Sequence, residues 1–175
     1  MSGEGSNLQA LLDSGLPVVA VASSRHGARA LERAESAGVV AAAFPLDAYR
    51  SRAARDETMA DWLEEKGVEL VVCAGYMQLL TPGFLDRFAG RVVNVHPAPL
   101  PAFPGAHPLD DLLAAGAREA AATVHYVDEG VDTGPVIRSE SVPVLPGDTV
   151  DTLRERVQAV EHRLLPEVVR ELCAR

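Results

Sequence analysis

Short apolar runs alternate with amphipathic segments along most of this chain, and the alternation constrains the fold more than any other feature. The runs 17–23 and 69–74 predict strands, whereas 28–37 and 52–66 have helical spacing and predict helices. Strands that alternate with helices are typical of βαβ units, whose parallel strands form an open sheet. We therefore expect an α/β protein.

Three finer expectations follow from the same patterns. The run 69–74 is continuously apolar after Glu69, which predicts a strand buried on both faces. The run 121–127 alternates in type and predicts a further strand, and 135–145 predicts another. Residues 148–175 predict a long closing helix.

Composition narrows the functional classes. The 175 residues are sufficient for one domain with a full hydrophobic core, and no repeat or linker divides them. The formal charge of −9 argues against a surface that coats nucleic acid, which needs basic patches. Two cysteines give neither a disulfide framework nor metal-ligand spacing, and no apolar run has the length of a membrane span. We therefore expect a cytoplasmic protein with no metal and no membrane partner.

The stretch 92–101 carries the strongest chemical signal. Asn94 and His96 are separated by one residue within an apolar run, so a strand would point both side chains to the same face. Prolines at 97, 99 and 101 then end the strand and force an irregular loop. Ligands of open parallel sheets bind beyond the carboxyl ends of the strands, which suits an Asn/His pair. A purely structural hydrogen-bonding histidine is the alternative interpretation.

The first residues form a glycine loop that leads into a helix. Gly3, Gly5, Ser6 and Asn7 precede leucines spaced for one helix face, and a helix N-terminus with free N–H groups suits a phosphate. We expect the Ser6 and Asn7 side chains to act as caps. Position 8 is leucine where the dinucleotide fingerprint needs its third glycine, which disfavours nicotinamide or flavin cofactors. A simple helix cap is the alternative.

Two loops follow strands near the predicted site. Residues 75–80 could line a pocket for a flat aromatic ligand, although ordinary core packing is the more common role of such apolar residues. Residues 128–135 form an acidic, glycine-rich loop that is either a solvated turn or the source of one carboxylate for the histidine.

These features combine into a resemblance. The chain resembles the phosphoribosylglycinamide formyltransferase family in five separated motifs, in the family's order: Gly3-Glu4-Gly5-Ser6-Asn7-Leu8-Gln9-Ala10-Leu11, Ala74-Gly75-Tyr76-Met77, Asn94-Val95-His96-Pro97 through Pro101, Phe103-Pro104-Gly105, and Asp132-Thr133-Gly134-Pro135-Val136-Ile137. The Asn/His/Asp set is shared by wider formyl-folate relatives, and the opening loop is the narrower mark.

The resemblance implies a fold and a reaction. The expected fold is a single-domain Rossmann-like α/β fold over 1–175, with an open, mostly parallel sheet, helices on both faces and the first strand missing. The implied enzyme transfers a formyl group from the cosubstrate 10-formyltetrahydrofolate to the amine of 5-phosphoribosylglycinamide (GAR), in de novo purine synthesis. Its partners are these small molecules, without nucleic acid.

The resemblance also implies roles for individual residues. Asn94, His96 and Asp132 are expected to be catalytic. The GAR phosphate is expected at Gly5, Ser6 and Asn7, with Gln158 and Glu161 completing that site. The folate is expected against Arg52, Met77, Gln78, Leu79, Leu80 and Asp128. His107 and His125 match family histidines with an expected supporting role.

This sequence departs from the family's pattern in two places. The family's first strand, ahead of the glycine loop, is absent, so we expect either a start codon that was assigned late or a truncated chain. Gln78 occupies a position that can be basic in the family, which is expected to alter folate contact.

Two alternative functions remain open. Formyltetrahydrofolate hydrolase, a relative that transfers the formyl group to water, is disfavoured by the phosphate loop and by the absence of an N-terminal regulatory domain. A non-catalytic nucleotide- or folate-binding module is disfavoured because all three catalytic side chains are present.

Overall fold

A computed structural model describes residues 4–174. The chain divides into two compact units, Met1–Val92 and Val93–Arg175, which are described separately below. Met1 to Gly3, the start of the glycine loop, lie outside the described residues, as does Arg175. That residues 1–175 form a single domain stays a prediction.

The first unit alternates helices and short strands, as the sequence predicts. Its elements are α1 (Ser6–Asp13), β1 (Ala20–Ser23), α2 (Arg29–Ser36), β2 (Val40–Ala43), a 3₁₀ turn (Leu46–Ala48), α3 (Arg52–Glu65), β3 (Val71–Cys73) and α4 (Pro82–Arg87). Strands β1 and β2 are parallel, with Ala20 opposite Val40 and Ser23 opposite Ala43. Helix α2 connects and contacts both strands, which makes this part a βαβ unit.

A small core holds the βαβ unit together. Leu8 of α1 and Val21 of β1 pack with Ala30 and Ala34 of α2, and all four are buried. The alanines allow close approach of α2. Gly38 follows α2 with φ 70°, the left-handed conformation that glycine adopts without strain at a helix C-terminus.

Strand β3 departs from its prediction. It spans three residues rather than six, and all three are half-buried, so the prediction of a strand buried on both faces was wrong. Within the described part of the first unit, β1 and β2 pair only with each other, and β3 gains no strand neighbour from them.

The second unit is built around an antiparallel sheet. Its elements are β4 (Val92–His96, which starts at the last residue of the first unit), α5 (Pro108–Ala114), β5 (Glu119–Tyr126), β6 (Val136–Pro143) and α6 (Val150–Cys173). Strand β5 runs antiparallel to both β4 and β6. The predicted α/β class is confirmed. In this unit no helix lies between β5 and β6 within the described chain, which lets these two strands pair as antiparallel neighbours.

Strand β5 is the most deeply buried strand of this unit. Ala120 to His125 are all buried, so successive residues on both faces are covered. The alternation in the sequence therefore does not produce alternating burial. Helix α6 packs along β5 and β6, and its apolar face includes Leu153, Val157, Leu164 and Val168.

Helix α6 begins with a capping box. The Thr149 hydroxyl accepts the Thr152 N–H at 3.3 Å, and the Thr152 hydroxyl accepts the Thr149 N–H at 2.9 Å. Asp148 precedes this cap, and its Oδ2 accepts hydrogen bonds from Arg156 Nη1 at 2.8 Å and from the Leu145 N–H at 2.7 Å. These two donors hold the pKa of Asp148 well below its usual range.

We expect Asp148→Asn to destabilise the protein at neutral pH. Because the folded pKa of Asp148 is depressed, its carboxylate stabilises the fold above the unfolded pKa of about 4, and this contribution is lost as the pH falls through the folded pKa. Thermal midpoints measured between pH 7 and pH 3 should therefore show a gap between variant and wild type that narrows toward acid. Asp151→Asn is the control, and it should lower the thermal midpoint at pH 7 less than Asp148→Asn does, because the ion pair of Asp151 with Arg154 is exposed. A gap that stays constant with pH would contradict the assignment.

Candidate active site

Strand β4 positions the first two polar side chains of the candidate site. Asn94 and His96 lie on the same face of β4, and His125 on β5 is the register partner of Asn94. The Asn94 Nδ2 atom lies 3.3 Å from His125 Nε2. His96 and His125 are 4% and 2% exposed, so this pair of strands buries both imidazoles.

Asp132 reaches the same place from the loop between β5 and β6. Its backbone has φ 54°, an uncommon conformation for a residue with a side chain. Its Oδ2 accepts the Gly105 N–H at 2.9 Å and lies 3.4 Å from His96 Nδ1. Its Oδ1 lies 3.5 Å from both Asn94 Nδ2 and His125 Nε2. One carboxylate is therefore surrounded by an amide and two imidazoles.

Backbone carbonyls determine which nitrogen of each histidine carries a hydrogen. His96 Nε2 lies 2.8 Å from the Phe103 carbonyl, and His125 Nδ1 lies 2.8 Å from the Tyr126 carbonyl. A carbonyl oxygen only accepts, so both of these nitrogens must be donors. The other nitrogen of each ring faces Asp132: His125 Nε2 can accept from the Asn94 amide at 3.3 Å, whereas a bare lone pair on His96 Nδ1 would oppose the carboxylate. A proton on His96 Nδ1 turns that contact into a charge-assisted hydrogen bond.

The electrostatics of Asp132 keep the carboxylate ionised. Burial by itself raises the pKa of Asp132. The hydrogen bond with His125, the Gly105 N–H and the charge of His96 act in the opposite direction and together hold that pKa below its usual value. The site therefore contains a fixed negative charge next to protonatable rings, an arrangement that can hold and move a proton.

The predicted phosphate-binding residues begin helix α1 in the first unit. Gly5 is the N-cap with φ 70°, and a Cβ there would lie 3.0 Å from Ala30 Cα, so the loop requires glycine at this position. The prediction that Ser6 and Asn7 cap the helix was wrong, because Gly5 is the N-cap and both residues lie within the first turn. Arg33 Nε donates to the Glu4 carbonyl at 2.9 Å and ties the loop to α2.

Gln158 and Glu161 belong to the second unit. They are three residues apart on α6, which places them on the same side of that helix. Gln158 is half-buried, and Glu161 is 5% exposed. A carboxylate this deeply buried has partners within the structure.

Four of the six predicted folate residues are exposed, and two are half-buried. Arg52 is exposed at the start of α3. Met77 and Leu79 are 63% and 45% exposed, whereas Gln78 and Leu80 are half-buried. Ordinary core packing, the alternative for this loop, is therefore wrong for Met77 and Leu79.

Asp128 organises its own loop in the second unit. It is exposed, and its Oδ1 accepts hydrogen bonds from the Thr133 hydroxyl at 2.6 Å and from the Gly130 N–H at 3.0 Å. These bonds shape the turn that leads to Asp132. The sequence allowed either a solvated turn or delivery of a carboxylate, and the loop combines an exposed Asp128 with a largely enclosed Asp132.

Comparison with known proteins places this geometry in a family. The formyl transferase family matches residues 1–169. The chain belongs to the formyl transferase family. Among its relatives, phosphoribosylglycinamide formyltransferase of Mycobacterium tuberculosis is 46% identical over 176 residues, which cover 98% of this chain and 81% of that protein.

A solved structure shares the fold of this formyl transferase chain. Glycinamide ribonucleotide transformylase 1 from Symbiobacterium toebii superposes with a TM-score of 0.95 at 46% identity, over 97% of this chain and 83% of that one. The chain is also 41% identical to the trifunctional purine biosynthetic protein adenosine-3 of Drosophila pseudoobscura pseudoobscura. It spans only 13% of that protein's length.

Family membership implies a folate-derived cosubstrate. Within residues 4–174 no group of three or more His, Cys, Asp or Glu side chains could hold a metal ion. In the same part of the chain no helix is both long and apolar enough to cross a membrane.

Sequence reasoning missed two supporting residues of this formyl transferase site. The buried Thr123 on β5 is the register partner of His96, and its hydroxyl donates to the Ala98 carbonyl at 2.7 Å. Ser139 on β6 lies 2.8 Å from the same hydroxyl and must be the donor of that second bond. This chain of bonds fixes the proline loop two residues after His96. The sequence signal for this pair is weak, because Thr123 is one hydroxyl in an apolar strand and Ser139 lies in the polar stretch Arg138–Ser141 of β6.

Proposed function

We propose that this chain transfers the formyl group of 10-formyltetrahydrofolate to the amine of GAR, giving formyl-GAR in purine biosynthesis. The observation that carries the proposal is the Asp132 carboxylate held among Asn94, His96 and His125 in a formyl transferase. A relative named phosphoribosylglycinamide formyltransferase, at 46% identity, supports GAR as the acceptor. We infer that residues 1–175 act as one cytoplasmic domain on small molecules, without nucleic acid or membrane.

Asn94, His96 and Asp132 have distinct roles in this reaction. The amine nitrogen attacks the formyl carbon, a C–N bond forms, and the carbonyl electron pair moves to oxygen. Donors preorganised toward that oxygen lower the barrier, and the Asn94 amide and a protonated His96 supply them. Asp132 takes the proton that the amine loses. The oxyanion electron pair then re-forms the carbonyl, the bond from the formyl carbon to N10 of the folate breaks, and N10 receives the proton held by Asp132.

We infer from two distances which ring nitrogen of His96 turns toward the developing oxyanion. Its Nε2 bond to the Phe103 carbonyl is short at 2.8 Å, whereas its Nδ1 contact with Asp132 is long at 3.4 Å. The longer of the two contacts is the weaker one and costs less to break. The Nδ1 hydrogen is therefore the one that turns toward the oxyanion when substrate binds.

Each substrate has a proposed place. The N-terminus of α1 suits the GAR phosphate at Gly5, Ser6 and Asn7, and we assign Gln158 and Glu161 to the same substrate. The exposed apolar side chains of Met77 and Leu79 suit a flat pteridine or benzoyl ring. Arg52, Gln78, Leu80 and Asp128 are the other residues that we assign to the folate.

An absorbance assay of formyl loss from 10-formyltetrahydrofolate, run with and without GAR, tests the proposal. We expect turnover that requires GAR and produces formyl-GAR. Turnover at the same rate without GAR would instead identify a formyltetrahydrofolate hydrolase. Binding of both ligands with no turnover would identify a non-catalytic module.

A further inference from the structure

A fully buried ion pair lies on helix α3, away from the cluster around Asp132 in the sequence. Arg55 and Asp56 are neighbours in the chain, and both are 0% exposed. Arg55 Nε donates to Asp56 Oδ1 at 2.7 Å, and Nη2 lies 2.6 Å from the same oxygen. Charged side chains are almost never this deeply buried unless they are paired. The mechanism above uses neither residue.

The pair contacts both ends of one loop, which we call the 76–81 segment (Tyr76 to Thr81). At its end, the Thr81 N–H donates to Asp56 Oδ2 at 2.8 Å. At its start, the Arg55 guanidinium carbon lies 5.9 Å from the centre of the Tyr76 ring, within cation–π range. Of the two Asp56 carboxylate oxygens, Oδ1 therefore binds Arg55 and Oδ2 binds the loop.

The residues between these two anchors face in different directions. Met77 and Leu79 are 63% and 45% exposed, although both are apolar. The Tyr76 hydroxyl and the Gln78 Oε1 atom are buried. A loop whose polar atoms point inward and whose apolar side chains point outward is suited to contact an apolar ligand.

Stability alone does not account for the pair. Desolvation of two charges costs about as much as their attraction returns, and apolar replacements are often neutral or stabilising. Arg55 Nη1 in addition finds no hydrogen-bond partner among residues 4–174, which adds to that cost. The directed bonds from Asp56 and Arg55 instead specify one shape of the 76–81 segment.

We propose that Arg55 and Asp56 are positioning residues that hold the 76–81 segment in the shape that presents Met77 and Leu79 to the folate. This inference rests on the proposed function for the identity of the ligand. Neither residue touches the reacting atoms, so their loss should weaken folate binding and leave the chemical step unchanged.

The decisive comparison is Tyr76→Leu with Tyr76→Phe. The leucine variant removes the ring beneath the guanidinium, whereas the phenylalanine variant keeps the ring and removes only a hydroxyl that has no hydrogen-bond partner among residues 4–174. Burial raises the pKa of Tyr76 to about 12, so neither change removes a charge near neutral pH. We expect KM for 10-formyltetrahydrofolate to rise about five- to tenfold in Tyr76→Leu. KM for GAR and kcat should change less than about twofold, and Tyr76→Phe should match the wild type in all three.

Two further variants separate positioning from general stability. Arg55→Lys keeps the charge beside Asp56 but loses the flat guanidinium. We expect the same rise in KM for 10-formyltetrahydrofolate, with KM for GAR and kcat nearly unchanged. Arg87→Ala breaks the ion pairs that Arg87 of α4 makes with two exposed carboxylates of α3, Asp61 and Glu64. It should lower the thermal midpoint slightly without changing KM for folate, because exposed ion pairs contribute little. Equal folate effects in Arg87→Ala would overturn the proposal.

Calorimetric titration with tetrahydrofolate tests the positioning role of Arg55 and Asp56 independently of turnover. Weaker tetrahydrofolate binding in Tyr76→Leu than in Tyr76→Phe supports the positioning role, even if the wild type proves to lack transferase activity. Unchanged tetrahydrofolate affinity in Tyr76→Leu and Arg55→Lys overturns it, as does a wild-type protein that binds no tetrahydrofolate.

Discussion

Asp132→Asn is expected to lower kcat about 10³-fold, within the range for loss of a general acid or base. Asparagine has the same shape, and its amide oxygen can still accept the Gly105 N–H that now bonds Asp132 at 2.9 Å. It cannot take a proton from the amine, and it removes the negative charge that His96 Nδ1 faces at 3.4 Å. The measurement is the GAR-dependent rate of formyl loss at saturating concentrations of both substrates.

The control for Asp132→Asn is Asp110→Asn, the same change at an exposed residue of α5. Asp110→Asn should keep wild-type kcat. The thermal midpoint of Asp132→Asn should lie within a few degrees of the wild type near pH 7. This result would show that the lower kcat does not come from unfolding. A kcat within tenfold of the wild type in a folded Asp132→Asn protein would remove Asp132 from the mechanism.

His96→Ala is expected to lower kcat about 10²- to 10³-fold by removing a donor to the developing oxyanion. The substitution also leaves the Phe103 carbonyl without the ring N–H that now lies 2.8 Å away. Because the imidazole is 4% exposed, its loss creates a cavity of its own shape. Added imidazole should enter that cavity and restore part of the rate, which a purely structural loss would not allow.

His26→Ala is the matched control, since His26 is exposed in the turn before α2. It should keep wild-type kcat and show no response to imidazole. A folded His96→Ala protein with a near-normal rate would show that Asn94 and Asp132 suffice without the imidazole.

Local patterns predicted the elements that position the candidate site. The period of two along 92–96 placed Asn94 and His96 on one face, and the three prolines ended β4 where the structure ends it. The helix predicted over 28–37 was also located correctly, as α2 (Arg29–Ser36). These features depend on neighbours within a few residues, which is the range over which sequence patterns carry information.

Contacts between distant residues could not be predicted in the same way. Asp132 meets Gly105 across 27 positions, and Asp56 meets Thr81 across 25. Arg55 and Asp56 lie in a charged stretch of α3 that suggests a solvent face, yet tertiary packing buries both. The strand predicted over 121–127 is confirmed as β5, but its full burial could not be predicted, because the burial comes from β4, β6 and α6 rather than from its own pattern.

Because β5 lies between β4 and β6, the candidate site should lose its geometry only when this unit unfolds. His125 and Thr123 are carried by β5, whose backbone is paired on both edges. Backbone amides of such strands exchange with solvent only when the whole unit opens. We therefore expect the β5 amides to be the slowest to exchange. On heating, the geometry around Asp132 should persist until global unfolding and then disappear with it.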